Sequence, residues 1–173
     1  MPKEPRSQIR CFEADLSRHE HRHATADLVN MYAREPLARG SRLPQHVLDR
    51  LPEFLRSFPT AHVFLAQLPD AAEGDPLAFV GVAVCVRSIS TFVAAPAMNV
   101  HDIAVRPGHR GMGIGKALLA EVERSARTLG CCKMTLEVHR ENTGAIQTYR
   151  AFGFADGVNT AAAGDIWFFE KRL

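Results

Sequence analysis

The chain has 173 residues, a length that suits one domain and allows about two thirds of the unfolded surface to be buried. Hydrophobic residues make up 46% and charged residues 23%, ordinary proportions for a globular protein. The net charge of +2 indicates no strong field for nucleic acid, and no apolar run reaches the about 18–20 residues that a membrane span needs. We therefore expect a single domain over residues 1–173, with neither nucleic acid nor a membrane as its partner.

The N-terminal residues and the cysteines indicate the compartment. Residues 1–16 contain a cation but no apolar segment of the kind that a secretory signal needs. Cys11, Cys85, Cys131 and Cys132 lie in apolar segments without a C-x-x-C spacing, so neither a zinc site nor a redox pair is expected. We predict reduced thiols and a cytoplasmic protein.

The first third of the chain predicts a strand followed by two helices. Residues 8–13 have the composition of a strand, and residues 15–34 that of a polar helix ending before Pro36. A second helix is expected at residues 45–58, where apolar side chains recur at helical spacing, and Pro59 ends it.

The pattern then changes to that of β-structure. Residues 61–68 and 77–86 are apolar and rich in β-branched side chains, and a turn-like segment separates them. The two segments predict a hairpin. A further strand is expected at residues 98–105.

The last third alternates helices and strands. The strongest helix is predicted at residues 113–129, with one apolar face and Gly130 as its stop. A strand at residues 132–139 follows, then a helix capped by Asn142, and a last strand at residues 166–171. This order predicts an α/β domain with a single mixed, mostly antiparallel sheet flanked by helices.

The segment DIAVRPGHRGMGIGK, which ends at Lys116, has the clearest chemical meaning. A strand ends, a glycine-rich loop follows, and a long helix begins with unpaired N–H groups and the positive end of its dipole. Gly111, Gly113 and Gly115 allow a phosphate to approach those N–H groups. Arg110 and Lys116 add positive charge beside them. The segment therefore predicts a pyrophosphate site, the alternative being glycines that only permit tight packing.

Two other glycine loops are excluded by single positions. A P-loop would need Gly where this chain has Arg110 and Ser or Thr where it has Ala117. The dinucleotide pattern G-x-G-x-x-G would need Gly in place of Lys116. The pattern that fits is R-G-x-G-I-G.

That loop resembles the cofactor loop of the GNAT N-acetyltransferase superfamily, Q/R-x-x-G-x-G/A, at Arg110, Gly113 and Gly115. A second segment, ENTGAIQTYRAFGF at residues 141–154, resembles the family pattern E-N-x-x-A-x-x-x-Y-x-x-x-G-F. The two motifs stand in the order typical of the family, and the resemblance covers about residues 77–173. Residues before the loop are weakly similar to polyamine and thialysine acetyltransferases, which have a Glu-Asp pair at His101 and Asp102.

The resemblance implies an N-acetyltransferase of single-domain GNAT fold that uses acetyl-coenzyme A as cosubstrate and no metal. It implies that strand backbone pairs with the pantetheine arm, that loop N–H groups hold the pyrophosphate, and that an asparagine touches the arm. Those residues are Ile103, Ala104 and Val105 for the strand, Arg110, Gly111, Met112, Gly113, Ile114, Gly115 and Lys116 for the loop, and Asn142. Tyr149 is implied to lie near the cofactor sulfur.

The reaction itself requires two proton transfers. The departing thiolate needs a proton, and an alkylamine, protonated at neutral pH, must lose one. Tyr149 is the predicted general acid, its alternative role being packing at the edge of the core. Asp102 is the assigned proton acceptor, with His101, Glu137, His139 or a water relay as alternatives. Strand alternation places Asp102 and His101 on opposite faces unless a bulge intervenes.

The acceptor is expected to be a small amine, in preference to a protein N-terminus or lysine, although residues 14–60 contain no recognisable acceptor motif. A domain that binds acyl-coenzyme A without catalysis, a longer acyl group and a homodimer remain alternatives. His19 and His23 have the spacing of two metal ligands on a helix. The alternative interpretation is that they lie on a solvated helix face. Phe92 is expected either to line an acceptor pocket or to pack within a hairpin.

Overall fold

The computed structural model describes residues 9–69, 71–72, 75, 77–157 and 164–173. These residues form one sheet with helices on both of its faces. In chain order the elements are β1 (Arg10–Glu13), α1 (His19–Ala33), α2 (Gln45–Ser57), β2 (Ala61–Gln67), β3 (Phe79–Ser90), β4 (Ala95–Val105), a 3-10 turn (Pro107–His109), α3 (Ile114–Thr128), β5 (Lys133–His139), α4 (Thr143–Phe152), β6 (Ala155–Asp156) and β7 (Ile166–Arg172).

The strands lie in the order β1-β2-β3-β4-β5-β7-β6. The pairing of β4 with β5 is parallel, and every other pairing among the described strands is antiparallel. Helix α3 makes the crossover between β4 and β5, as a parallel pair requires. The predicted fold class, an α/β domain with a mixed and mostly antiparallel sheet, is confirmed.

Strands β4 and β5 separate after a short shared ladder. The ladder consists of three residue pairs, Met98 with Met134, Asn99 with Thr135, and Val100 with Leu136. Both strands continue beyond it, β4 to Val105 and β5 to His139, without pairing to each other. A cleft therefore opens in the middle of the sheet, on the side where α3 and α4 begin.

A β-bulge in β4 lies at the point where the two strands part. Val84 of β3 pairs with Asp102, whereas the next residue, Cys85, pairs with Val100, so His101 has no partner of its own. The extra residue shifts the alternation of side chains in the rest of the strand. As a result, Val100 and Ile103 both pack towards α3, although they are three residues apart.

The core has two layers, one on each face of the sheet. Towards α3 and α4, the fully buried residues include Leu118, Met134 and Phe169. Towards α1 and α2, Leu28 and Leu65 are fully buried. The apolar spacing that predicted α3 arises because this helix lies against the sheet along its length.

Helices α1 and α2 cover only part of their face of the sheet. Helix α1 packs over β3 and β4, and α2 over β2. In the described part of the chain no helix packs over β5 and β7 on this side. Thr135, Glu137 and His139 belong to that uncovered face, because the residues between them in β5 are buried towards α3 and α4.

Some predicted boundaries were wrong. Helix α1 begins at His19 and not at residue 15, because the Asp15 carboxylate accepts hydrogen bonds from the backbone and side chain of Ser17 and forms a turn. The last four residues of β3 and the first three of β4 were missed, and so was β6. Residue 8 of the predicted first strand lies outside the described residues. Phe92 is 102% exposed at the turn between β3 and β4, so it neither lines the cavity nor packs against the hairpin.

Candidate active site

The cleft between β4 and β5 leads into a cavity of about 660 Å³. The ends of both strands line it, together with the glycine loop, the first two turns of α3 and residues 144–149 of α4. Three residues from the α1 side complete the wall, namely Tyr32, Glu35 and Leu37. The cavity thus joins the two sequence motifs, which are separated by a helix and a strand along the chain.

The end of β4 directs backbone groups into this cleft. The amide of Arg106 donates to the carbonyl of Val80 at 2.8 Å, which fixes the phase of hydrogen bonding between β4 and β3. Because bonded and non-bonded pairs alternate in an antiparallel ladder, Ala104 also bonds towards β3. The peptide groups of Ile103 and Val105 therefore point away from β3, into the cleft. Of the three residues predicted to contact a pantetheine arm, these two offer backbone groups to the cavity.

The glycine loop leaves the N-terminus of α3 open. Gly111 and Gly113 have φ angles of 76° and 84°, in the left-handed region that favours glycine. Gly113 is the N-cap of α3, and no side chain accepts a hydrogen bond from the first turn there. A Cβ atom at Gly115 would also meet open space. Apart from Met112, which is 56% exposed, every residue of the predicted loop lines the cavity, so its N–H groups are accessible to an anion.

Two arginines connect this loop to α1. The Nη2 atom of Arg106 lies 2.5 Å from the Asp27 carboxylate. Arg110 is paired with Glu35, which follows α1, and its Nε donates to the carbonyl of Val105 at 3.0 Å. The strand end, the loop and the helix on the opposite face are therefore held together by charge-assisted contacts.

Helix α4 places two predicted site residues on the cavity wall. Asn142 caps the helix, its Oδ1 accepting from the amide of Ala145 at 3.3 Å, and it lines the cavity as well. Tyr149 is 8% exposed and stands edge-on to Phe154, with ring centroids 6.1 Å apart. Burial, with a smaller contribution from Tyr32, raises the pKa of Tyr149 above its usual range. Its hydroxyl therefore keeps its proton throughout the neutral range.

Asp102 lies on the α1 side of the sheet and is not among the residues that line the cavity. It follows the bulge with the same orientation as Ala104, which packs against α1. Burial raises the pKa of Asp102, and His101 partly opposes that shift. Burial and then Asp102 itself raise the pKa of Tyr32, which places these two residues close together. Asp102 therefore lies beside the cleft, on the opposite face of the sheet from the glycine loop.

The other proposed proton acceptors line the cavity directly. His101 is exposed at the bulge, and Glu137 is exposed near the end of β5. His139 ends that strand, where its Nδ1 accepts from the amide of Glu141 at 3.3 Å. The cleft therefore has titratable side chains on both strands, and the bulge explains why His101 and Asp102 both adjoin it.

Several lining residues were not predicted, among them Tyr32, Glu35, Leu37 and His109. Tyr32, Glu35 and Leu37 come from a segment without a recognisable motif and reach the cavity only through tertiary packing. His109 directly precedes Arg110 of the predicted loop, and its buried Nδ1 has no hydrogen-bond partner within the described residues. Its position next to a predicted phosphate-binding arginine was the signal that could have identified it.

The metal alternative finds no support in the described residues, which contain no group of three or more metal-ligating side chains. His19 and His23 stack on α1, with their ring centroids 6.3 Å apart. All four cysteines are free thiols. None of the described helices has the length and apolar character needed to cross a membrane.

The model of the acetyltransferase (GNAT) family matches residues 25–154, which include both motifs and most of the cavity wall. The chain belongs to this family. A streptothricin acetyltransferase from Streptomyces lavendulae is 45% identical over 58 residues, which are 34% of this chain and 31% of that protein. The chain thus spans about a third of the length of that GNAT relative.

Two further GNAT relatives match over longer segments. An aminoglycoside N(6')-acetyltransferase type 1 from Stenotrophomonas maltophilia is 31% identical over 62% of this chain and 70% of its own length. A thialysine N-epsilon-acetyltransferase from Bos taurus is 32% identical over 57% of this chain and 58% of its own. Among solved structures, the NatC complex bound to Gag peptide and CoA matches with a TM-score of 0.66 and 21% identity, covering 96% of this chain and 99% of that one. That last likeness concerns the fold.

The half-buried carboxylate of Asp102 has a consequence for stability. Its raised pKa means that the folded protein holds this proton more tightly than the unfolded chain does, so this group destabilises the fold as pH rises through the folded pKa. We expect Asp102→Asn to increase the free energy of unfolding at pH 7, by an amount that shrinks towards pH 4. Urea denaturation at several pH values measures this. Glu141→Gln, which neutralises an exposed carboxylate, is the control; a less stable Asp102→Asn at pH 7 would mean that the carboxylate binds the loop structurally.

Proposed function

We propose that this protein is an acetyl-coenzyme A-dependent N-acetyltransferase that acetylates a small amine by direct attack. The observation that carries the proposal is that one cavity contains both the open N-terminus of α3 and the hydroxyl-bearing side chain of Tyr149. The first suits binding of a pyrophosphate, and the second suits protonation of a thiolate. The cleft between them has free backbone groups to hold an extended arm.

The residues present fit acetyl-coenzyme A as the cosubstrate. The first-turn N–H groups of α3, with Lys116 and Arg110 beside them, would bind the pyrophosphate. The peptide groups of Ile103 and Val105 would bind the pantetheine arm as an added strand does. Asn142 lines the same wall and would contact the arm. The cleft thus directs the thioester towards the bulge and Tyr149.

The transfer needs no covalent enzyme intermediate. The amine nitrogen attacks the thioester carbonyl carbon, and an N–H group facing the cleft, such as that of Ile103, stabilises the oxyanion. The carbon–sulfur bond then breaks, and the thiolate takes the proton of Tyr149. The ammonium form of the amine loses its first proton through water to Asp102 before the attack, and the second proton, which the nitrogen loses as the amide forms, passes to water. Exchange with solvent returns both side chains to their starting states.

The acceptor class is supported by the relatives named above. Their names refer to streptothricin, an aminoglycoside and thialysine, and the last two are small molecules with amino groups. Asp102 on the acceptor side, with no hydrogen bond to its carboxylate from the described residues, suits a cationic amine. We therefore favour a small amine over a protein N-terminus or a lysine side chain.

The cofactor assignment predicts the effect of a charge in the loop. Gly115→Asp should abolish acetyl-coenzyme A binding, because it places a carboxylate against the pyrophosphate while its backbone and surroundings accept a side chain. Gly108→Asp adds the same charge seven residues earlier, at another open position outside the cavity wall, and should leave the affinity within a few-fold of wild type. Calorimetry on both folded variants makes the comparison. Equal affinities would remove the pyrophosphate from this loop.

The general-acid assignment predicts the effect of removing one oxygen. Tyr149→Phe should lower kcat by about 10²–10⁴, with little change in the Kd of acetyl-coenzyme A, because the proton is needed only as the thiolate leaves. Since Tyr149 is buried and its pKa is raised, deprotonation of Tyr149 should not lower the wild-type rate at any pH up to 10. Steady-state rates and calorimetry test both points. A variant within threefold of wild type would leave Tyr149 a packing residue.

The proton-acceptor assignment predicts how the rate depends on pH. Asp102→Asn should lower kcat/KM at least tenfold at pH 7, and part of the loss should return at high pH, where more of the amine arrives neutral. Rates of variant and wild type from pH 7 to 9.5 give the ratio. A constant ratio would exclude Asp102 as the base, and His101, Glu137 and His139 would then be tested in the same way.

A further inference from the structure

One carboxylate in the cavity is not used by the chemistry described above. Glu137 lies in β5, between Leu136 and Val138, which are buried towards α3 and α4. Its own side chain therefore belongs to the opposite face, where no described helix packs over β5. It is exposed and lines the cavity.

The position of Glu137 relative to Asp102 follows from the strand register. Asn99 and Thr135 are paired across β4 and β5 on this face, joined by a side-chain hydrogen bond of 3.1 Å. Glu137 is two residues beyond Thr135 in β5. In β4, Asp102 is the first residue after the bulge that lies on this face, two residues before Ala104. Each lies about 7 Å past the last paired residues on this face. The two residues therefore lie on the same face of the sheet, one on each side of the point where the strands separate.

The charges along the cavity are divided between its two ends. Lys116 and Arg110, the latter paired with Glu35, lie at the end assigned to the pyrophosphate. Asp102 and Glu137 lie where β4 and β5 separate. Glu170, on the same face, is neutralised by Lys133 at 2.9 Å, whereas no ion pair or hydrogen bond reaches the Glu137 side chain within the described residues. The acceptor end thus has one carboxylate more than the reaction needs.

We propose that Glu137 binds a second ammonium group of the acceptor, and that the protein prefers small amines with at least two cationic nitrogens. The proposal rests on the proposed function. The reacting amine lies beside Asp102 and the thioester, and a second ammonium group on the same molecule reaches the carboxylate on the other side of the opening. Because Glu137 has no ion-pair partner among the described residues, its interaction with this group is not offset by the loss of an existing ion pair there. Glu137 is thereby a specificity-determining residue.

The test compares two acceptors of the same length. 1,4-Diaminobutane and pentylamine differ by the replacement of one amino group with a methyl group. The kcat/KM of the diamine is first halved, because the molecule has two equivalent amines. For the wild-type protein this corrected value should be at least tenfold higher than that of pentylamine, because pentylamine lacks the charge-assisted contact with Glu137. Glu137→Gln should lower this ratio at least tenfold, and Glu137→Lys should reverse the preference. Both changes are at an exposed position, and thermal melts verify folding.

Glu141→Gln is the matched control, because it removes a nearby exposed charge that does not line the cavity. It should keep the wild-type ratio. A wild-type ratio near one, or an unchanged ratio in Glu137→Gln, would overturn the proposal. Acetylation of peptide N-termini but of neither amine would also overturn it, while leaving the N-acetyltransferase activity intact. Failure with every acceptor, together with no binding of acetyl-coenzyme A, would overturn the proposed function itself.

Discussion

The separation of β4 from β5 is the constraint on which the rest of the site depends. A strand inside a sheet normally has all its peptide groups bonded to neighbours, and buried peptide groups without partners are costly. Here the bulge at His101 and the end of the ladder at Val100 leave groups of Ile103 and Val105 facing a cleft. Arg110 satisfies one of those carbonyls. The remaining groups are available to a ligand, and α3 and α4 both begin beside them.

Helix α1 contributes to this arrangement from the opposite face of the sheet. Asp27 of this helix pairs with Arg106, and Glu35, just after the helix, pairs with Arg110, so the strand end and the glycine loop are both connected to this part of the chain. Its Tyr32 lies close enough to Asp102 for that carboxylate to raise the tyrosine pKa, and it lines the cavity. This part of the chain therefore adjoins the proposed acceptor side of the cleft and also supports the loop at the proposed cofactor side. Over β5 no described helix covers the same face, which leaves the cleft accessible there within the described residues.

The sequence was sufficient where the signal is local. Helix α3, β5 and α4 were predicted closely, because an apolar period, a glycine stop and the Asn142 cap each depend on neighbouring residues. The bulge was not predictable, because the alternation of side chains along a strand assumes that each residue pairs with one residue of the neighbouring strand. Only the register with β3 shows the additional residue in β4. The start of α1 was wrong because the turn at Asp15 competes with the helix. Tyr32, Glu35 and Leu37 reach the cavity through packing of distant segments, which no local pattern encodes.

The pair formed by Glu35 and Arg110 joins side chains that are 75 residues apart in the sequence. One adjoins the segment that follows α1, and the other belongs to the loop assigned to the pyrophosphate. Binding free energies are reciprocal, so a ligand that weakens or strengthens this pair from one side changes the affinity on the other side by the same factor. An acceptor that perturbed Glu35 and a cosubstrate that perturbed Arg110 would thus change each other's affinity by the same factor.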